Sequence, residues 1–219
     1  MSLRLTVTNI CKSYNGKSVL KDCSVSFNRR GIYVLMGPNG SGKSTFLRIC
    51  ALLESPDRGE INYFSGNDML KTNIDLRRRI TLVLPGLGLF NTTVFRNVAY
   101  GMRIRGIKNK EIEEKSFSAL EFVGLTHKKD HNALTLSSGE KQRLGIARTL
   151  VIEPDVLFLD EPTASVDEEN TEIIEKIILD MKKDGGTTVI ITTHDIQQAE
   201  RLSDKVLILR NGSFFEINP

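Results

Sequence analysis

Residues 37–45 read GPNGSGKST, and their types and spacing suit one task, the holding of phosphate groups. Gly37, Pro38, Asn39, Gly40, Ser41 and Gly42 form a glycine-rich turn, and Lys43, Ser44 and Thr45 open a predicted helix. Glycines admit positive φ and let backbone N–H groups close around a phosphate chain. The helix N-terminus adds partial positive charge. Lys43 supplies a point charge for the outer phosphates, and the Ser44 hydroxyl is a ligand type suited to Mg2+. At ordinary residue frequencies the pattern G-x-x-x-x-G-K-[ST] arises by chance in about one chain per hundred. Here it also lies between an apolar strand-like run and a helical one, the context the chemistry needs. The alternative is a tight strand–helix turn with a fortuitous match.

A second constellation is VLFLDEP, residues 156–162, an apolar run ending in two acids. Asp160 is placed to hold Mg2+ through water, as in phosphate-loop enzymes generally. A second carboxylate beside it, Glu161, suits polarisation of an attacking water, a general-base role. The bland alternative is a buried strand followed by a polar turn.

These groups need elements to position them. Strand-like runs occupy residues 3–10, 18–27 and 31–36, the last leading straight into the glycine turn. Residues 43–53 place Phe46, Leu47, Ile49, Cys50 and Leu53 at helical spacing. Further strands are predicted at 60–64 and 80–84. From about 92 to 153 the pattern turns helical: residues 108–123 put Ile112, Ala119, Leu120 and Val123 on one face, and 138–152 form a second helix. The β/α rhythm then returns. Residues 155–159 are wholly apolar, as a parallel sheet requires. Residues 168–183 carry an apolar stripe (Ile173, Ile174, Ile177, Ile178, Met181) closed by Gly185-Gly186, and a buried strand follows at 187–193. Runs at 205–210 and 213–217 flank Asn211-Gly212, a hairpin signal. The chain reads as an α/β core interrupted by a helical insertion of about sixty residues.

Bulk composition narrows the alternatives. The chain has 219 residues, suited to one domain or one core with an insertion. With 30 basic and 27 acidic residues the net charge is +3, too mild to argue for nucleic acid. The densest basic run, Arg77-Arg78-Arg79, reads as a solvated helix face. Cys11, Cys23 and Cys50 are odd in number and lack metal-ligand spacing, which suits reduced thiols in a cytosolic protein. No apolar run approaches the length of a membrane helix, and the N-terminus alternates like a strand rather than a signal peptide.

Three further motifs fit one family. LSSGEKQR, residues 136–143, resembles the signature of the ABC ATPases; ASVD, residues 164–167, resembles their D-loop; and TTHD, residues 192–195, resembles their switch-histidine motif. Tyr14 matches the aromatic that stacks on adenine in that family. Order and spacing agree from Leu3 to about Ile217. The resemblance implies an α/β fold of the P-loop NTPase class and ABC ATPase type. It has a mixed-sheet core, an antiparallel β subdomain and a helical insertion. A single ABC ATPase domain is expected over residues 1–219, with its core at about 1–85 and 154–219 and its helical subdomain at about 86–153.

The resemblance further implies ATP and Mg2+ as ligands, with Lys43, Glu161 and His194 catalytic and Ser44 and Asp160 toward the metal. Two copies would meet head to tail. ATP would lie between the phosphate loop of one and Ser137, Ser138, Gly139, Glu140 and Asp167 of the other, with Ser137 and Gly139 donating to the γ-phosphate. Each piece also has an ordinary reading: Ser137-x-x-Glu140 is a capping box, Asp167 an N-cap, His194 a satisfied histidine at a strand end, and Tyr14 a core residue.

Within the family, a solitary ATPase chain resembles importer components. Such a subunit would sit peripherally on the cytoplasmic face of the cell membrane, beside integral permease subunits and a substrate-binding protein. No C-terminal regulatory domain like that of the sugar-importer and many molybdate-importer ATPases is expected, and LFNTTVFRNVAYGMRIRG with EPTASVD resembles the tungstate-type oxyanion importers. A soluble non-transport ABC ATPase and a weakly hydrolysing ATP switch are the alternatives. One departure stands out. Where the family has a glutamine reaching the Mg2+ and water, this chain has Pro85, which offers neither a side-chain ligand nor an N–H. Weaker Mg2+ coordination is expected. The apolar PGLGLF, residues 85–90, forms either an exposed contact patch for a membrane partner or part of the packing of the insertion.

Overall fold

The computed structural model describes residues 3–86, 88–183 and 186–217. The chain divides into two compact units. The first comprises Met1–Leu82, Asp155–Glu161 and Met181–Pro219, the second Val83–Pro154 and Pro162–Asp180.

The first unit carries two sheets. One is antiparallel, with strand order β2-β1-β4-β5, built from β1 (Leu3–Tyr14), β2 (Lys17–Phe27), β4 (Arg58–Ser65) and β5 (Asp68–Met69). The other has six strands in the order β10-β9-β3-β8-β7-β6. These are β3 (Ile32–Met36), β6 (Ile80–Val83), β7 (Val156–Asp160), β8 (Thr188–Thr193), β9 (Lys205–Arg210) and β10 (Ser213–Ile217). In it β3 lies parallel to β8 and β9, and β7 parallel to β8. Every residue of β7 and β8 is buried, and all but Asp160 at the end of β7 are apolar or threonine, as a strand covered on both faces requires. The β9–β10 hairpin turns through Asn211 and Gly212 at φ 55° and 80°, the two left-handed positions its dipeptide allows. Leu5, Val7, Ile10, Leu20, Phe27, Phe46, Leu47, Ile49 and Phe158 pack into one buried cluster between these elements.

Helix α1 (Lys43–Cys50) is shorter than its apolar spacing predicts. Leu52 adopts φ 60°, and the Leu53 N–H bonds back to the Arg48 carbonyl. That is a left-handed helix end, here without glycine, and it leaves Leu53 exposed rather than in the core. Two short helices escape the periodicity reading, α2 (Ile74–Arg78) and α7 (Ile196–Leu202), because each gives too few turns for an apolar stripe. The basic run at 77–79 lies on α2 and its C-cap. It is not simply solvated: Arg79 pairs with Asp155 at 2.7 Å, and Arg77 donates to the Leu52 carbonyl.

The second unit is helical: α3 (Val94–Ile104), α4 (Asn109–Phe122), α5 (Ser138–Leu150) and most of α6 (Glu168–Lys183). Val94, Val98, Ala99 and Met102 of α3, Ile112, Ala119 and Leu120 of α4, and Leu144, Ile146 and Ala147 of α5 are buried, as their 3.6-residue spacing anticipates. On α6, Ile174, Ile177, Ile178 and Met181 are buried and Ile173 half-buried. Gly185, expected to end α6, lies outside the described residues.

Candidate nucleotide site

The register of the six-stranded sheet assembles the site. Leu35 of β3 stands opposite Thr192 of β8, which stands opposite Asp160 of β7. The glycine loop follows β3, Glu161 follows β7 and His194 follows β8. All three therefore leave adjacent parallel strands at their carboxyl ends, where open α/β sheets bind ligands.

Pro38, Asn39 and Gly40 are exposed, Gly37 and Ser41 half-buried, and Ser41 N–H closes the turn onto the Pro38 carbonyl at 3.1 Å. A Cβ on Gly37 would lie 2.3 Å from the Leu209 carbonyl oxygen and 2.8 Å from Ser41 Oγ, so only glycine fits. Helix α1 begins after left-handed Gly42 with no side-chain cap and no acid in its first turn. Helices α2, α3, α5 and α7, by contrast, all receive a side-chain cap. An uncapped N-terminus leaves its N–H groups and positive dipole end to a ligand, and an anion fits there. In the same loop Ser41 Oγ is a buried hydroxyl without a hydrogen-bond partner among the described residues. Thr45 is buried and Ser44 half-buried at the start of the helix.

Lys43 is only 5% exposed. Its Nζ donates to the carbonyls of Gly37 (2.8 Å) and Pro38 (3.3 Å) and pairs with Glu161 Oε1 at 3.4 Å. His194 Nδ1 lies 3.8 Å from Glu161 Oε2, on a side chain that is largely exposed. The four groups Lys43, Asp160, Glu161 and His194 thus converge. Glu161 holds φ 46°, a left-handed conformation costing a non-glycine residue about 1–2 kcal/mol.

Sequence reasoning missed the residue that supports that conformation. Thr192, fully buried, accepts the Glu161 backbone N–H at 2.8 Å and donates its hydroxyl proton to Asp160 Oδ1 at 2.7 Å. One hydroxyl therefore holds both acids. Asp160 itself is buried with that neutral donor and no ion pair among the described residues. A buried carboxylate so placed suits a cation, which would relieve the cost of its burial. Among the described residues no three His, Cys, Asp or Glu side chains form a metal cluster. A divalent ion here would be held by phosphate oxygens together with Ser44 and Asp160, as Mg2+ commonly is.

Tyr14, at the end of β1, is 38% exposed and so is not a core residue.

The remaining expected residues lie in the second unit. Ser137 caps α5: its hydroxyl accepts the Glu140 N–H at 3.2 Å while Glu140 Oε2 accepts the Ser137 N–H at 2.9 Å, a complete capping box. Lys128 pairs with Glu140 at 2.9 Å. Ser138 is exposed and Gly139 buried. Asp167 caps the start of α6 through the Asn170 N–H at 2.8 Å and the Asn170 amide. A Cβ on Gly139 would lie 2.4 Å from Asn170 Cγ, so α5 packs directly against the start of α6. Pro85 is exposed beyond the end of β6. Leu84 just before it is exposed; in the segment after it Leu89 is half-buried and Leu87 lies outside the described residues. Phe90 lies 4.3 Å from the Tyr100 ring and beneath the Arg148 guanidinium, so part of the apolar run packs within the unit.

A glycine loop feeding an uncapped helix, with two acids and a histidine on the neighbouring strand ends, defines a P-loop nucleotide-binding ATPase. The profile of the ABC transporter family matches residues 20–164, and the chain belongs to that family as an ATP-binding subunit. It is 39% identical to the tungstate uptake system ATP-binding protein TupC of Peptoclostridium acidaminophilum over 96% of each chain. It is 36% identical to a phosphate import ATP-binding protein, PstB 2, of Natronomonas pharaonis over 98% of this chain and 80% of that one. Among solved structures, cbiO1 of Clostridium perfringens, part of the ABC transporter complex cbiONQ, superposes with a TM-score of 0.86 at 32% identity, covering 98% of this chain and 88% of that one. A dimeric ATP-binding cassette in a post-hydrolysis state, bound to ADP and Pi, gives 0.85 at 25% identity, covering 98% and 99%. The expected fold class and ATPase activity are borne out. No described helix is long and apolar enough to cross a membrane.

Proposed function

We propose that this chain hydrolyses ATP to drive an importer of tungstate or a similar oxyanion. It would be peripheral on the cytoplasmic face of the cell membrane, with integral permease subunits and a substrate-binding protein as partners. The observation that carries the ATPase reading is the convergence of Lys43, Asp160, Glu161 and His194 at the ends of β3, β7 and β8. The near full-length likeness to a tungstate uptake subunit supports the substrate class. Both units belong, in this reading, to one ABC ATPase domain spanning residues 1–219.

The geometry supports the following chemistry. The loop from Gly37 to Gly42 and the N–H groups of Lys43, Ser44 and Thr45 wrap the phosphate chain, and the Lys43 ammonium exchanges its carbonyl partners for phosphate oxygens. Mg2+, held by Ser44 and Asp160, would neutralise phosphate charge. Glu161 orients and polarises the attacking water, and His194 contacts the γ-phosphate. Catalysis is then mainly positioning and electrostatics. Two copies meet head to tail. At the capped start of α5 in the partner, Ser137 and Gly139 donate to the γ-phosphate, with Ser138, Glu140 and Asp167 nearby. Tyr14 stacks on the adenine.

Glu161→Gln tests the enzyme reading: it should still bind ATP yet hydrolyse it at least about a hundredfold more slowly than wild type, the scale of a lost general base. Equal inertness of both proteins with ATP bound would leave a binding switch, the second reading that Pro85 favours. Co-purification with an integral membrane subunit supports transport. Association with ribosomes or DNA would overturn it in favour of a soluble ATPase.

A further inference from the structure

The Tyr14 ring does not stand alone. Its hydroxyl donates to Glu54 Oε1. The other oxygen of that carboxylate accepts from Arg48 Nε at 3.2 Å, and Lys12 Nζ lies 3.4 Å from Glu54. Lys12 is itself fixed, pairing with Asp57 at 3.3 Å and donating to the Ser55 carbonyl at 2.8 Å, and its ammonium sits over one face of the Tyr14 ring, 5.5 Å from the centroid. Arg48 reaches the other way, its Nη2 donating to Thr45 Oγ1 at 3.2 Å in the first turn of the phosphate-loop helix. Burial pushes the Glu54 carboxyl up, but the bonds from Tyr14, Arg48 and Lys12 outweigh it and leave its pKa below the ordinary range. Glu54 is therefore ionised at neutral pH and a strong acceptor. Tyr14 and Glu54 are 40 residues apart in sequence, so this contact is made only by the fold.

We propose that Glu54 is a positioning residue for nucleotide recognition: its carboxylate, braced by Arg48 and Lys12, anchors the Tyr14 hydroxyl and fixes the ring for stacking on the base. Lys12 covers one face, leaving the other to a planar ligand. A ring on a free side chain would lose rotamer freedom when the base binds; one already tied down does not, so the network raises affinity by preorganisation. Through Arg48 the same carboxylate is linked to Thr45, so base and phosphate subsites share one brace. The inference rests on the reading of Tyr14 as the base-stacking residue, and its test separates the two.

The purified chain and the variants Tyr14→Phe, Glu54→Gln, their double variant and Tyr14→Ala are compared. Dissociation constants for ATP come from competition with a fluorescent nucleotide, kcat from phosphate release, and the base-free control is inorganic tripolyphosphate. Tyr14→Phe and Glu54→Gln should each weaken ATP about two- to fivefold, the scale of a partly exposed charge-assisted bond. The double variant should be no weaker than the weaker single, because both remove the same contact. In Tyr14→Phe the loss should fall on ATP affinity, with KM rising more than kcat falls, and not on tripolyphosphate affinity. Additive losses, or losses in Glu54→Gln that are equal for tripolyphosphate and ATP, would overturn the proposal and place Glu54 on the phosphate loop alone. If Tyr14→Ala weakens ATP while Tyr14→Phe and Glu54→Gln match wild type, the brace is refuted and stacking survives. If Tyr14→Ala binds ATP as wild type does, stacking itself fails and the inference falls with it.

Discussion

Thr192 offers the sharpest test of how the site is held. Valine has nearly the shape of threonine, so Thr192→Val removes a hydroxyl without opening a cavity. Two groups lose their partner at once: the Glu161 N–H, bonded at 2.8 Å, and the buried Asp160 carboxylate, bonded at 2.7 Å. An orphaned amide costs about 1–3 kcal/mol and a lost bond to a charged acceptor about 1.5–3 kcal/mol. The added methyl group returns about 0.8 kcal/mol of apolar burial. A net loss of about 3 kcal/mol is expected, which for a chain of this length lowers Tm by about 6–12 °C. Thr192→Ser keeps the hydroxyl and gives up one methyl, so it should lose about 1 kcal/mol. Urea unfolding and thermal melts measure both. ATPase activity should fall further than stability alone explains in the valine variant, because both acids lose their orientation together. A valine variant within about 0.5 kcal/mol of wild type, or a serine variant as damaged as the valine one, would refute the argument that one hydroxyl braces both acids.

Other outcomes follow from the same geometry. Gly139→Ala drives a methyl group into Asn170, whose amide is tied to Asp167, and should cost about 1–3 kcal/mol in urea unfolding, partly restored by Asn170→Ala. Burial pushes the Glu140 carboxyl up, but Lys128 and the Ser137 N–H outweigh it and hold its pKa below the ordinary range. Near pH 4 the folded protein thus binds fewer protons than the unfolded chain. The stabilisation is complete above the ordinary carboxyl pKa and is lost as pH falls through the lowered value, so Glu140→Gln should flatten the acid limb of stability against pH. Burial raises the Cys23 thiol to about 11 and the Cys50 thiol well above its ordinary value, so a thiol reagent at pH 8 should label Cys11 first, and all three only in denaturant. Pro85→Gln should raise basal ATPase activity, read as phosphate release against Mg2+ concentration; an unchanged rate and Mg2+ dependence would show that proline does no harm there.

The phosphate loop, the two acids after β7 and the capping box of α5 were legible in the sequence because each is local. Their residues are neighbours along the chain, and spacing along the chain fixes what they do: glycines before Lys43 make a turn, and Ser137 reaches Glu140 three residues on. The helical stripes and the Asn211-Gly212 hairpin were legible for the same reason. Sequence could not show where α1 stops, because its apolar spacing runs on to Leu53 while a left-handed Leu52 ends the helix. Nor could it decide between a buried and an exposed Tyr14. Those answers, and the contacts of Thr192 with Glu161 and of Glu54 with Tyr14, join residues 31 and 40 positions apart. Such pairs are set by strand register and by the return of the chain after α1, at residues 54–57, to the end of β1. They depend on which residues the folded sheets bring opposite one another, a relation that no interval along the chain encodes.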